Sequence, residues 1–200
     1  MVKGRSNPRL LDTYTQERRG AILDTLAELT KTTLFITTPS PGISLMREAV
    51  LSLSITEKFL NNLFDPYASP PYEYKDSALN ATPLDGPGFG APVGVGAIPP
   101  DGVTNAQGDR LYDQIGPWFS VLLFSDDGQD SARAITEKLH TADPGVRVLV
   151  LPTHGDLARL YDARPGTTYL LRPDNRVAAR WRQADPDTIL GALNHAACAN

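Results

Sequence analysis

Phe119-Ser120-Val121-Leu122-Leu123-Phe124-Ser125 is the stretch on which the fold turns. It is a nearly continuous apolar run, too short for a helix and free of period-two alternation. That is the pattern of a strand buried on both faces. Val146-Arg147-Val148-Leu149-Val150-Leu151 reads as a second strand. Between the two, Ala134, Ile135 and Leu139 recur at helical spacing, with Asp130 or Ser131 placed to cap the helix and Asp143-Pro144-Gly145 to close it. Strand, helix and strand in this order predict a parallel pair joined by a right-handed crossover.

Toward the C-terminus the pattern continues. Asp156–Tyr161 reads as a short helix, and Asp185-Pro186 opens a last one carrying Ile189, Leu190 and Leu193 on one side. Between them, Thr167–Arg172, the turn Pro173-Asp174-Asn175 and Arg176–Trp181 read as a β-hairpin. The chain is thus expected to be α/β, and the order β-α-β-α-β-β-α over 110–200 matches the thioredoxin-like fold.

Toward the N-terminus, residues 66–109 hold eight of the 17 prolines and seven of the 16 glycines. Proline removes backbone donors and glycine raises the entropy lost on ordering, so a long irregular connection is expected there. Tyr72, Tyr74 and Phe89 are the side chains able to pin it to a neighbour. Residues 1–65 read as a helical extension. Asn7-Pro8 suits an N-cap and first helical position, followed by Leu11, Tyr14, Ala21, Ile22, Leu26 and Leu29 at roughly helical spacing. A break at Pro39-Ser40-Pro41-Gly42 precedes a second helical stretch from Leu45 to Leu63, ended by Asp65-Pro66. Ser52, Ser54 and Thr56 interrupt that stretch, which leaves one helix or two open.

The 200 residues, 41% hydrophobic and 21% charged, suffice for a buried core. A net charge of −4 and a pI near 5.3 argue against nucleic acid as partner. Arg172, Arg176, Arg180 and Arg182 form a local basic group, read as a solvated face rather than an anion site. The N-terminal residues lack the apolar core of a signal peptide and no apolar run is long enough to span a bilayer, so a cytoplasmic protein with no membrane partner is expected.

No catalytic, cofactor or metal site emerges. A redox member of the thioredoxin-like fold places Cys-x-x-Cys where the first strand meets its helix, whereas this chain has Ser125-Asp126-Asp127-Gly128-Gln129-Asp130-Ser131 there. The single cysteine, Cys198, has no partner for a disulfide. Gly86-Pro87-Gly88-Phe89-Gly90-Ala91 fits a relaxed dinucleotide pattern, but without a strand before it or a helix after it. His140, His154 and His195 stand apart, and Asp126-Asp127 and Asp185-Pro186-Asp187 sit where acids cap helices. Neither a Gly-x-Ser-x-Gly elbow nor a phosphate-binding loop occurs.

Three stretches resemble the C-terminal region of the flavin-dependent aromatic hydroxylases, the phenol and 3-hydroxyphenylpropionate hydroxylase-like monooxygenases. Leu10-Leu11-Asp12-Thr13-Tyr14-Thr15-Gln16-Glu17-Arg18-Arg19 resembles the helix leaving their flavin-binding core. Gly108–Gly116, running into Phe119–Phe124, resembles the start of their thioredoxin-like domain, and Tyr169–Arg180 resembles its hairpin. Gly20 stands where the family often has Pro, Ile98 where an Arg would fall, and Asn175 in place of a common turn Gly. The resemblance implies that FAD, NAD(P)H and most of the substrate pocket belong to family sequence upstream of Leu10, and this chain begins only about nine residues before that point. The expectation is therefore a non-catalytic interaction or dimerisation module lacking the FAD-binding domain.

On that expectation Leu11, Tyr14, Ile22 and Leu26 are the candidate partner contacts. They fold back on the chain, self-associate or meet a flavoprotein partner. Two alternatives stand beside it. One is a subunit or fragment that completes an FAD- and NAD(P)H-dependent monooxygenase. The other is a binder of small aromatic molecules, with the Pro/Gly-rich stretch as a lid over Tyr67, Tyr72, Tyr74 and Trp118.

Overall fold

From the N-terminus, helices α1 (Leu10–Thr37) and α2 (Pro41–Leu53) precede a 3-10 turn at Lys58–Leu63. After an irregular stretch come α3 (Leu111–Gln114), β1 (Ser120–Phe124), α4 (Asp130–Ala142), β2 (Arg147–Leu151), α5 (Gly155–Leu160), β3 (Thr168–Leu171), β4 (Val177–Trp181) and α6 (Pro186–Ala196). The computed structural model describes residues 6–63, 71–81, 88–90, 93–126 and 130–199. Asp65-Pro66, Tyr67, Gly86-Pro87, Ala91 and Asp127 lie outside the described residues, as do the side chains of Asp130 and Ser131. The chain divides into two units: Met1–Thr15 with Glu73–Asn200, and Gln16–Tyr72.

The first unit carries a four-stranded sheet in the order β2-β1-β3-β4. β1 and β2 are parallel and in register from Ser120–Arg147 to Phe124–Leu151. β3 runs antiparallel to β1, and β4 antiparallel to β3. This is the thioredoxin-like arrangement read from the two apolar runs and the hairpin. Burial on both faces explains why β1 lacks alternation. Leu122 and Phe124 join Tyr161, Tyr169, Leu157 and Leu111 on one face, while Val121 joins Leu139, Leu170, Ile189 and Leu193 on the other.

The hairpin turn survives without glycine. Asn175 adopts a left-handed φ of 57°, which asparagine tolerates, and its N–H donates to the Arg172 carbonyl. Asp185 caps α6, its carboxylate accepting from the N–H groups of Asp187 and Thr188, with Pro186 at the first helical position. At the other end of the chain the helix starts later than Asn7-Pro8 suggests. The Asn7 side chain accepts from the Arg9 N–H at 3.0 Å in a turn that precedes Leu10. The second helical stretch is two pieces. The hydroxyls of Ser54 and Thr56 donate to the carbonyls of Leu51 and Leu53, a local alternative to helix continuation.

The Pro/Gly-rich stretch has neither helix nor named strand among its described residues, yet it is part of the core. Tyr74, Leu79, Ala81, Val93, Val95 and Ala97 are all buried. Its backbone covers the outer edge of β4. Gly96 N–H donates to Val177 O at 2.8 Å, Val177 N–H to Ala97 O at 3.0 Å, and Ala81 N–H to Ala178 O at 3.0 Å. An edge strand is thereby removed from solvent without adding a regular strand.

The arginines of the hairpin correct the reading of a solvated face. Arg172 and Arg180 are 5% and 6% exposed. Arg172 grips Asp174 through Nε and Nη2 at 3.0 and 2.7 Å. Arg176 Nη1 donates to Gly96 O at 3.2 Å and lies over the Tyr74 ring, 4.1 Å from its centre. Arg180 Nη1 donates to Val93 O at 2.7 Å and lies 4.4 Å from the centre of the Phe89 ring. Arg182 donates to Gly88 O and covers the same ring at 3.9 Å. The irregular segment pairs only some of its own carbonyls, and the planar guanidinium forks of β4 and its flanks supply further donors.

Gly96 is the point at which this covering is tightest. Its φ is +84°, and a Cβ there would sit 2.4 Å from the carbonyl carbon of Tyr74. Gly96→Ala is expected to cost about 1–3 kcal/mol or more from backbone strain and clash. Urea unfolding of the intact chain would show it as a lowered midpoint, and an unchanged midpoint would contradict the close approach.

Candidate functional site

Helix α1 is long, about 42 Å at the ordinary helical rise. Leu11, Tyr14, Ile22 and Leu26 share one face of it, together with Leu29 and Ile36. The four candidate contacts are 60%, 66%, 49% and 52% exposed. The apolar surface extends beyond them, with Leu45, Met46, Leu53, Ile55 and Phe59 also exposed. Between Gln16 and Tyr72 no residue whose burial is described is buried.

What holds this unit together is local. Thr25, Thr30 and Thr37 hydroxyls donate back to the carbonyls of Ala21, Leu26 and Thr33. At the C-terminus of α1, Arg47 of α2 donates through Nε to Phe35 O at 2.7 Å and through Nη2 to Thr38 O at 2.9 Å. These bonds satisfy helix-end carbonyls and fix the reversal between the helices. Beside the reversal lies a groove of about 490 Å³ lined by Leu34, Phe35, Ile43, Met46 and Val50, with Glu28 and Lys31 paired at its rim. Gly20, the departure from proline, faces Tyr72, since a Cβ there would lie 2.4 Å from the tyrosine hydroxyl.

The remaining candidates are structural where they are described. Asp126, beside the place of a redox pair, accepts from the Thr153 N–H at 2.8 Å and lies 3.4 Å from His154 Nδ1. Asp187 pairs with Lys138 of α4 at 2.6 Å, tying two helices together. His140 Nε2 lies 3.0 Å from Val146 O and His195 ends α6. No group of three metal-ligating side chains occurs among the described residues. No described helix is long and apolar enough to cross a membrane.

Gly88-Phe89-Gly90 is a fastened strap rather than a phosphate cradle. The Gly88 carbonyl accepts from Arg182, and the Gly90 N–H donates to Asp162 Oδ2 at 2.8 Å. The Gly90 amide is thus turned to the protein's own carboxylate, and no helix opens in the residues described after the strap. Two of the aromatic residues read as lying under a lid are engaged by arginines. Tyr74 stacks under Arg176, Trp118 faces Arg147 at 5.4 Å, and Tyr72 belongs to the other unit.

Sequence reasoning missed one constellation. Phe89, Phe124, Tyr161 and Tyr169 form an aromatic cluster, with Tyr161 and Tyr169 edge-on at 5.0 Å. The Tyr161 hydroxyl donates to Pro100 O at 2.9 Å, and the Tyr169 hydroxyl to Tyr161 O at 2.8 Å. Burial pushes the Tyr169 phenol up to about 12 and Tyr161 higher still, so neither offers a base at neutral pH. The available signal was an isolated aromatic, Phe89, inside a Pro/Gly stretch, set against arginines repeating along a strand.

No family model matches this chain. It is 28% identical over 204 aligned residues to a 3-(3-hydroxy-phenyl)propionate/3-hydroxycinnamic acid hydroxylase of Mycobacterium avium (strain 104), covering 89% of this chain and 34% of that protein. Among solved structures, aklavinone-11 hydroxylase in complex with FAD and aklavinone matches with a TM-score of 0.69 at 20% identity, over 98% of this chain and 36% of that one. The rebeccamycin biosynthetic enzyme RebC with reduced flavin matches at 0.68 and 20% identity, over 99% and 38%. The flavin-dependent monooxygenase PieE, in complex with FAD and substrate, matches at 0.60 and 20% identity, over 97% and 41%. The chain spans about a third to two fifths of these relatives, and it has the fold of the C-terminal portion of such flavin-dependent hydroxylases.

Asp162 holds the strap through one carboxylate. The Gly90 N–H and then the Arg182 guanidinium keep its carboxyl below the ordinary carboxylate value. The stability it contributes is therefore fully present above about pH 4 and is lost as pH falls through the depressed value. Asp162→Asn is expected to flatten the acid limb of a plot of urea midpoint against pH. An acid limb identical to the parent's would show that the carboxylate contributes nothing.

Proposed function

We propose, taking the likeness to the C-terminal portion of flavin-dependent hydroxylases as the premise, that this chain is a non-catalytic interaction module whose helical unit is completed by another polypeptide surface. The absence of any described buried residue from Gln16 to Tyr72, beside exposed Leu, Ile, Met and Phe side chains, carries this reading. Helices in water draw most of their stability from an apolar face packed against something else. A helical unit with no described buried residue from Gln16 to Tyr72 leaves that stabilisation to an outside surface, and large apolar patches on soluble domains mark such contacts.

A second reading concerns what that surface is. The relatives carry well over half of their length outside the matched part, and two of the matched structures hold FAD with a substrate. This favours a flavin-bearing polypeptide as the partner, so that hydroxylation, FAD and NAD(P)H belong to the assembly rather than to these residues. The strap at Gly88–Gly90 does not fit a flavin pyrophosphate, for the reasons of hydrogen bonding given above. Self-association through α1 is the other form of the same reading.

The test is the mass in solution of the chain alone and with a flavin-loaded hydroxylase core, compared with an Ile22→Asp/Leu26→Asp variant. The parent chain is expected to run above its 21.7 kDa monomer mass or to co-elute with the flavoprotein, and the variant to do neither. A parent that stays monomeric and fully helical on dilution, with no uptake by the flavoprotein, sinks the proposal. Retention of FAD by the chain alone after gel filtration would sink its non-catalytic part.

A further inference from the structure

Independently of the helical surface, we infer that Phe89 and Asp162 act as a built-in ligand, filling a slot made for a flat aromatic ring that carries an anionic group. Two guanidinium groups lie against the Phe89 ring, that of Arg180 4.4 Å and that of Arg182 3.9 Å from its centre. Its edge meets Tyr169, with ring centres 5.9 Å apart and planes at 80°. A ring contacted by two guanidinium groups and an aromatic wall is the chemistry of aromatic-anion recognition.

The anionic half of the pair is Asp162. Its Oδ2 accepts from Arg182 Nη2 and from Gly90 N–H, and its φ of 47° is a left-handed conformation that aspartate adopts at a cost. Arg182 Nε, in the guanidinium that covers Phe89, is buried with no acceptor among the described residues. An unmet buried donor is unfavourable, and a carboxylate arriving beside the ring would meet it.

Phe89 is only half-buried and the strap Gly88–Gly90 has exposed ends, so the slot opens to solvent once the ring leaves. The strap is held to Arg182 and Asp162 by polar bonds that an incoming carboxylate can replace. Tyr74 and Trp118 are engaged elsewhere, with Arg176 and Arg147. While Phe89 is in place the slot is occupied by the protein itself, and affinity for an outside ligand is reduced by the fraction of time it stands empty.

Benzoate is the probe, followed by the shift of the Gly90 backbone N–H resonance in the full-length chain, an amide that every variant retains. Phe89→Ala is expected to bind benzoate at least about tenfold more tightly than the parent, because the internal competitor is gone. Acetate and cyclohexanecarboxylate should not gain, and adding Arg182→Lys should cancel the benefit by removing the planar fork while keeping the charge. Circular dichroism checks folding. Should Phe89→Ala fail to fold, Phe89→Leu is read in its place with the same expected direction. Equal benzoate affinity in a folded Phe89 variant and the parent, or an equal gain for acetate, overturns the inference.

Discussion

The guanidinium groups that β4 and its flanks extend to the carbonyls of an irregular segment are the constraint on which the sheet-bearing unit depends. Residues rich in proline and glycine form no continuous ladder with one another, and carbonyls left over by their few internal bonds need donors from elsewhere once they are buried. Arg176, Arg180 and Arg182 supply donors to Gly96, Val93 and Gly88, and they stack on Tyr74 and Phe89 at the same time. Each arginine thus replaces a length of β-ladder. The segment in turn shields the outer edge of the sheet and contributes Val93 and Ala81 to the two opposite core layers. Irregular backbone and buried charge, each unfavourable alone, are compatible because each supplies what the other lacks.

The helical unit obeys a different economy. Its bonds are nearly all local: threonine hydroxyls to the preceding turn, and Arg47 to the end of α1. Local bonds define helices but do not give them a core. The apolar residues that would form one, such as Ile22, Leu26, Leu45 and Met46, are exposed on α1 and α2. This contrast between a doubly packed sheet and an uncovered helical pair makes an interaction role the physically economical reading. Fold likeness alone would not have supported it, since one fold serves many functions.

The site was legible in part. Leu11, Tyr14, Ile22 and Leu26 could be found from spacing, because helical periodicity alone places residues on one face. Their exposure could not, since the same stripe would serve equally for packing against the chain's own sheet. The hairpin arginines were misplaced for a related reason. Charge on a strand is solvated unless something covers it, and the covering segment is separated from them by the whole of the sheet's sequence. Phe89, Tyr74 and the strap at Gly88–Gly90 carry no periodic signal at all, so their partners emerge only in three dimensions.

The sequence by itself determined the succession and directions of the strands, the asparagine-bearing turn and the cap on α6. All of these rest on short-range rules: buried runs, left-handed tolerance and a carboxylate one turn from N–H groups. The tertiary structure decided what the Pro/Gly stretch does, that the arginines are buried, and that the helical stripe is bare. Those outcomes depend on which distant groups remain unpaired after the sheet has formed, and local sequence holds no record of that.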